Sequence, residues 1–128
     1  MLHHEKSVSI NHLDQETVIT LAYEAMKILG WDILMAVDNT MLGSTPKSWN
    51  RRNQYVLCKV ENGHLIVRSE MIYGEVLDLG GNNKRNVQSF VDAFERARLD
   101  AGTDIVEQYK DALAALRETS RKKIERQE

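Results

Sequence analysis

Residues 46–52, PKSWNRR, combine an indole with three cations in a short polar stretch. The cations are Lys47, Arg51 and Arg52. A tryptophan beside cations can hold a phosphate, an acidic partner or a nucleobase through ion pairing and stacking. The same residues also suit an ordinary loop, in which Trp49 packs back on a sheet and the cations are solvated. The sequence leaves both interpretations open.

Residues 80–86, GGNNKRN, place two glycines before a predicted helix that carries Lys84 and Arg85 in its first turn. A helix N-terminus attracts anions, because its backbone N–H groups are unpaired and carry partial positive charge. The stretch lacks the glycine and lysine spacing of a nucleotide-binding loop. It therefore predicts either a site for a small anionic ligand or an anionic lipid, or a capped loop without a ligand.

Other reactive residue types are scattered, and none forms a recognisable catalytic or metal-binding pattern. Ser44 and Ser48 have no candidate base nearby in the sequence, and Cys58 lies within a predicted strand, where a small buried hydrophobe is expected. The histidines are His3, His4, His12 and His64. We predict no catalytic residue, no metal and no cofactor.

The composition is that of a soluble globular chain, with 128 residues, 42% hydrophobic and 28% charged. A net charge of −2 argues against binding to nucleic acid. A single cysteine excludes an internal disulfide and fits a reducing compartment. There is neither a secretory signal nor an apolar run of about 18 residues. We expect a cytoplasmic protein.

The strongest structural signal is a β-hairpin over residues 54–70, with Asn62-Gly63 at its turn. Alternation places Val56, Cys58 and Val60 on one face and Tyr55, Leu57 and Lys59 on the other. Shorter strands are predicted over 6–10, 31–37 and 40–45, the second with Trp31, Ile33, Met35 and Val37 on one face.

Three helices are predicted by apolar residues that recur every three or four positions. The first covers 15–29, with Asp14 as its N-cap and Gly30 as its stop; the others cover 84–98 and 104 onward. This order predicts an α+β fold, an antiparallel β-meander of about four to five strands with an N-terminal helix and two C-terminal helices packed on one face. We divide the chain into an α+β domain, 1–102, and a C-terminal helical extension, 103–128. The apolar stripe Tyr109, Leu113 and Leu116 makes the extension a candidate dimer surface.

Three short motifs carry a resemblance to a known family: GWDI at 30–33, SW at 48–49 and LDLGGNNKRNVQSF at 77–90. Together they resemble the soluble domain that precedes the membrane segments in some bacterial rhomboid-like proteins, where the last motif reads D-W-G-x-N-K-K-N. The matching residues are Asp78, Gly80, Asn83, Lys84, Arg85 and Asn86. Leu79 replaces the aromatic residue, and Gly81 is extra.

The resemblance implies a cytosolic accessory domain of unassigned biochemistry. It transfers no catalytic residue, because a rhomboid's serine and histidine lie in transmembrane helices. The basic stretch 120–126, SRKKIER, fits a position beside a membrane segment, and it equally fits a solvated helix end whose cations suit the helix dipole.

We therefore expect a non-enzymatic interaction or regulatory module. Its predicted binding surface comprises Lys47, Trp49, Arg51, Arg52, Lys84 and Arg85. The expected partner is a protein or an anionic membrane surface, and no nucleic acid. The alternatives are a module for a small anionic ligand or anionic lipid, and an enzyme with an unrecognised site.

Overall fold

A computed structural model describes residues 3–46, 54–71 and 82–127. In these ranges the chain forms five strands and three helices. The strands are β1 (His3–Ser9), β2 (Asp32–Val37), β3 (Thr40–Ser44), β4 (Gln54–Glu61) and β5 (His64–Met71). The helices are α1 (Gln15–Ile28), α2 (Asn82–Asp100) and α3 (Ile105–Gln127).

The strands form one antiparallel sheet in the order β1-β5-β4-β3-β2. Strands β2 to β5 are a meander, and β1 adds to the free edge of β5, where Ser9 lies opposite His64. With one helix before the meander and two after it, the predicted α+β class is confirmed. Strand β1 begins at His3, three residues before the strand predicted at 6–10.

The hairpin of β4 and β5 turns at Asn62 and Gly63, with φ angles of 51° and 76°. Both angles lie in the left-handed region that a type I′ turn requires. Glu61 lies opposite His64 and Tyr55 opposite Glu70, so the register follows directly from the two-residue turn. The predicted hairpin is confirmed.

Both predicted ends of α1 are confirmed. The Asp14 carboxylate accepts the backbone N–H of Thr17 at 2.7 Å, and this hydrogen bond lowers the pKa of Asp14. At the other end Gly30 has φ 72°, and the N–H of Trp31 reaches the carbonyl of Met26 at 3.0 Å. This is a Schellman motif, in which a left-handed glycine allows the chain to satisfy the last helical carbonyls.

The core lies between the three helices and one face of the sheet, as predicted. Val56, Cys58 and Val67 supply its sheet side and are fully buried. Gly43 lets α1 come close, since a Cβ at this position would lie 2.6 Å from the Met26 sulfur.

Strand β2 departs from simple alternation. Ile33 lies opposite Gly43 and Met35 opposite Leu42, and these two partners are neighbours on β3. Ile33 and Met35 therefore lie on opposite faces, so the predicted common face of β2 was wrong. The cause is a β-bulge at Leu34, which adds one residue to β2 and reverses the alternation.

Helix α3 joins the rest of the fold through polar contacts. The Arg117 guanidinium forms two hydrogen bonds with the Glu16 carboxylate, each 2.9 Å long. Further along, the Ser120 hydroxyl accepts the backbone N–H of Ala36 at 3.0 Å. Because β2 is an edge strand, this contact covers an N–H group that would otherwise be open to another strand.

The residues predicted for self-association through α3 contact α1 within the same chain. Leu113 is buried, and the ring of Tyr109 lies 5.2 Å from that of Tyr23. The Tyr109 hydroxyl also donates a hydrogen bond to the Glu24 carboxylate.

Replacing Tyr109 with phenylalanine should reduce the loss of stability in alkaline solution. The hydrogen bond to Glu24, aided by burial, raises the pKa of Tyr109 to about 12 from its ordinary value of 10.0. Between these values the unfolded chain has lost the phenolic proton and the folded chain keeps it, so stability falls as pH rises. At pH 8 the variant should lose about 1 kcal/mol with the hydrogen bond.

Urea unfolding at pH 8, 10 and 11 measures both effects. The control is Tyr55→Phe, which changes an exposed tyrosine on the sheet. The prediction would be contradicted if the free energy of unfolding fell equally steeply with pH in the wild type and in Tyr109→Phe.

Candidate functional site

The structure describes two of the six predicted site residues. Lys84 and Arg85 are exposed in the first turn of α2. The other predicted site residues lie outside the described ranges; they are Lys47, Trp49, Arg51 and Arg52.

The two asparagines that flank these cations contact the sheet. Asn83 is fully buried, and its side-chain oxygen accepts a hydrogen bond from the Ser69 hydroxyl at 3.0 Å. The side-chain amide of Asn86 donates to the Gln54 side-chain oxygen and lies 3.3 Å from the Ser69 hydroxyl. Asn83 and Asn86 thus hold α2 on β4 and β5, whereas Lys84 and Arg85 are exposed.

Further hydrogen bonds link Gln54 to Thr45, the residue that follows β3. The Gln54 backbone N–H donates to the Thr45 hydroxyl at 3.0 Å, and the Thr45 N–H donates to the Gln54 carbonyl at 2.9 Å. We call these side chains the strand-end polar cluster: Thr45, Gln54, Ser69, Asn83 and Asn86. Buried polar groups that bond one another in this way stabilise a unique packing.

The structure bears on the single cysteine and on possible metal ligands. Cys58 is fully buried, and burial raises the pKa of its thiol, as expected for a small core residue. Across the described part of the chain, no three histidine, cysteine or acidic side chains converge as metal ligands.

A cleft of about 370 Å³ separates β2 from α3. Four of the charged side chains that line it are paired with each other or with α1. Arg121 contacts Glu118 and Glu125 at 2.5 Å each. Arg117 is held by Glu16. Asp38 also lines the cleft, which therefore presents no excess of cations to an anionic ligand.

The second face of the sheet carries apolar side chains where polar ones are usual. Helices α1 and α2 pack on the other face and α3 lies along the edge strand β2, so none of the described helices covers the centre of this surface. We call it the open sheet face, and its apolar residues are Met35, Val37, Leu42, Tyr55, Leu57 and Ile66.

The strand register brings three of these residues side by side. Met35 lies opposite Leu42, and Leu42 lies opposite Leu57, so an apolar strip crosses β2, β3 and β4. Directly opposite side chains in an antiparallel sheet are about 5 Å apart and touch. Leu57 remains 37% exposed and Tyr55 38% exposed. The strip therefore has surface left for a partner.

The charged residues of the open sheet face include two pairs of opposite sign. Lys59 lies 3.8 Å from Glu61, and Arg68 lies 2.6 Å from Glu70. The register also places Glu5 and Asp32 on this face, opposite Arg68 and Ser44. Carboxylates therefore outnumber cations on this face, and it gives a polyanion little attraction.

The apolar character of this second face is visible in the sequence of β4. Tyr55 and Leu57 are apolar at positions that alternate with the buried Val56 and Cys58. A strand that is apolar on both faces is typical of a sheet covered on both sides.

Comparison of the sequence with models of known protein families gives no match, and a search of curated proteins gives none either. Within the described ranges, each helix is too short or too polar to cross a lipid bilayer.

Proposed function

We propose that this chain is a non-enzymatic interaction domain that holds a protein partner on its open sheet face. The observation that supports the proposal is the apolar strip of Met35, Leu42 and Leu57, which none of the described helices covers. Antiparallel sheets with one solvated face normally alternate apolar and polar residues. Contiguous apolar surface on a folded chain is a mark of an interaction site.

The chemistry of the face favours a protein over an anion. Burial of apolar area contributes about 25 cal/mol per Å², and each exposed leucine or tyrosine adds to that gain. The charge pairs on the same face, Lys59 with Glu61 and Arg68 with Glu70, suit the polar groups that accompany an apolar centre in a protein interface. The resemblance to the soluble domain of bacterial rhomboid-like proteins supports the same class of role, an accessory domain beside a membrane protein.

Replacing Leu57 with glutamate should reduce capture of the partner at least tenfold, which corresponds to about 1.4 kcal/mol. A carboxylate in the middle of the strip would have to be buried unpaired in the complex. The test uses the tagged chain in extracts of its own organism, with captured proteins quantified by mass spectrometry. The matched control is Leu99→Glu on α2, because Leu99 is 84% exposed and lies away from the sheet.

Circular dichroism and thermal unfolding establish that both variants fold. Loss of the same protein in Leu57→Glu and its retention in Leu99→Glu is the expected result. Equal capture by the wild type and both variants would end the proposal for this face.

A further inference from the structure

Each edge of the sheet has a backbone group that a helix side chain already bonds, which favours the open sheet face as the place for a partner. At the β2 edge, the Ser120 hydroxyl accepts the outward N–H of Ala36. At the end of β1, the Arg98 guanidinium donates to the Ser9 carbonyl at 2.9 Å. A strand from another chain would have to displace these contacts before it could pair along either edge.

The cations of the open sheet face are engaged by carboxylates of the same strand. Lys59 lies 3.8 Å from Glu61 on β4, and Arg68 lies 2.6 Å from Glu70 on β5. An incoming anion would therefore compete with a carboxylate for each of these cations.

Two further carboxylates of this face lack a cation of their own. Glu5 lies opposite Arg68, whose guanidinium is already in contact with Glu70. Asp32 lies opposite Ser44. Both carboxylates are exposed, and neither forms an ion pair with another described residue. The excess negative charge on the described part of this face therefore resides in Glu5 and Asp32.

These two carboxylates lie on the two edge strands, with the apolar strip crossing part of the distance from one to the other. Glu5 is on β1, and Asp32 is on β2, the strand of Met35. Four strand spacings of about 4.8 Å separate β1 from β2, so the two carboxylates are roughly 20 Å apart.

We propose that the open sheet face binds an amphipathic segment of a partner protein, in which apolar side chains are flanked on both sides by lysine or arginine. The inference rests on the proposed function and names the chemistry of its partner. The apolar side chains would pack on the strip, and the flanking cations would reach Asp32 and Glu5. On a helix, cations about 13 residues apart span this distance, since each residue adds about 1.5 Å.

The charges of the face oppose other occupants. A second copy of the chain would bring a second set of unpaired carboxylates to the interface, and juxtaposed like charges are costly. An anionic membrane or a nucleic acid needs a positive surface instead. A basic segment gains from the charges that are present, because complementary potentials speed association and select partners.

Fluorescence anisotropy with two labelled helical peptides tests the inference. Both probes carry the same leucine face, with lysines at the two ends of one peptide and glutamates at the two ends of the other. The lysine peptide should bind the wild type roughly tenfold more tightly at about 50 mM NaCl, and this ratio should shrink at about 300 mM, because salt screens exposed charges.

Variants of the chain locate the charges that bind the lysine peptide. Asp32→Asn/Glu5→Gln should weaken its binding about three- to tenfold, as expected for the loss of two exposed ion pairs. The matched control, Glu107→Gln/Asp111→Asn, removes the same charge from exposed positions on α3 and should leave binding unchanged. Leu57→Asn should weaken both peptides, because it places a polar group in the strip.

Equal affinity for the two peptides would overturn the inference, as would a lysine peptide that does not bind at up to about 1 mM. Equal losses in the two double variants would also overturn it, because the attraction would then follow the net charge of the chain rather than this face. The proposed function is judged separately. If Leu57→Glu still abolishes capture of a protein from the extract, the interaction domain stands with a partner of different charge.

Discussion

Replacing Phe90 with alanine should lower the free energy of unfolding by about 3–5 kcal/mol, the range for removal of a buried aromatic ring. Phe90 is fully buried on α2, beside Trp31, the residue that precedes β2. Its ring centre lies 6.2 Å from that of Trp31 and 6.2 Å from that of Phe94. Aromatic rings at this separation attract one another beyond the area that they bury. The alanine variant loses both contacts and leaves a cavity.

Equilibrium unfolding in guanidinium, followed by circular dichroism, measures the loss. Phe90→Leu is the matched control, and it should retain most of the volume and cost clearly less than alanine. A loss below about 1 kcal/mol for Phe90→Ala would mean that α2 does not anchor this core.

Replacing Asn83 with alanine should cost about 2–3 kcal/mol, because it leaves buried polar groups without their partner. The Ser69 hydroxyl loses its acceptor at 3.0 Å, and the first turn of α2 loses a link to β5. Hydrogen exchange should accelerate most at the start of α2 and along the end of β5. Ser89→Ala, an exposed position on the same helix, should change neither quantity.

A double-mutant cycle with Ser69→Ala separates the hydrogen bond from other effects. Coupling between the two positions should be about 0.5–3 kcal/mol, as for residues in one network. An Asn83→Ala variant that is as stable as the wild type would contradict the prediction. The alternative role of this segment, an anion site at the start of α2, would then be supported if phosphate raised the melting temperature of the wild type but not that of Lys84→Ala/Arg85→Ala.

The GGNNKRN motif was only partly predictable. The sequence predicts Lys84 and Arg85 in the first turn of a helix, and both are exposed there. It did not separate them from Asn83 and Asn86, whose side chains contact the sheet. Asn83 and Asn86 are three apart and share a face of the helix, whereas Lys84 and Arg85 point elsewhere, and only the position of the sheet shows which of these faces is buried.

Features that depend on a few neighbouring residues could be predicted from the sequence. Asn62-Gly63, Asp14 and Gly30 act through their own φ angles, or through a hydrogen bond three residues away. The hairpin and both ends of α1 were therefore predictable, and the α+β class followed from the order of the elements.

Features that join distant parts of the chain could not be predicted in this way, because they depend on how the whole chain packs. Ser120 reaches Ala36 across 84 positions, and β1 finds its partner in β5 after three other strands. The bulge at Leu34 reverses the faces of β2 and thereby places Met35 beside Leu42. These contacts form because a packed core has few ways to bury its apolar area and satisfy its backbone at once, and that constraint acts on the whole chain rather than on a local pattern.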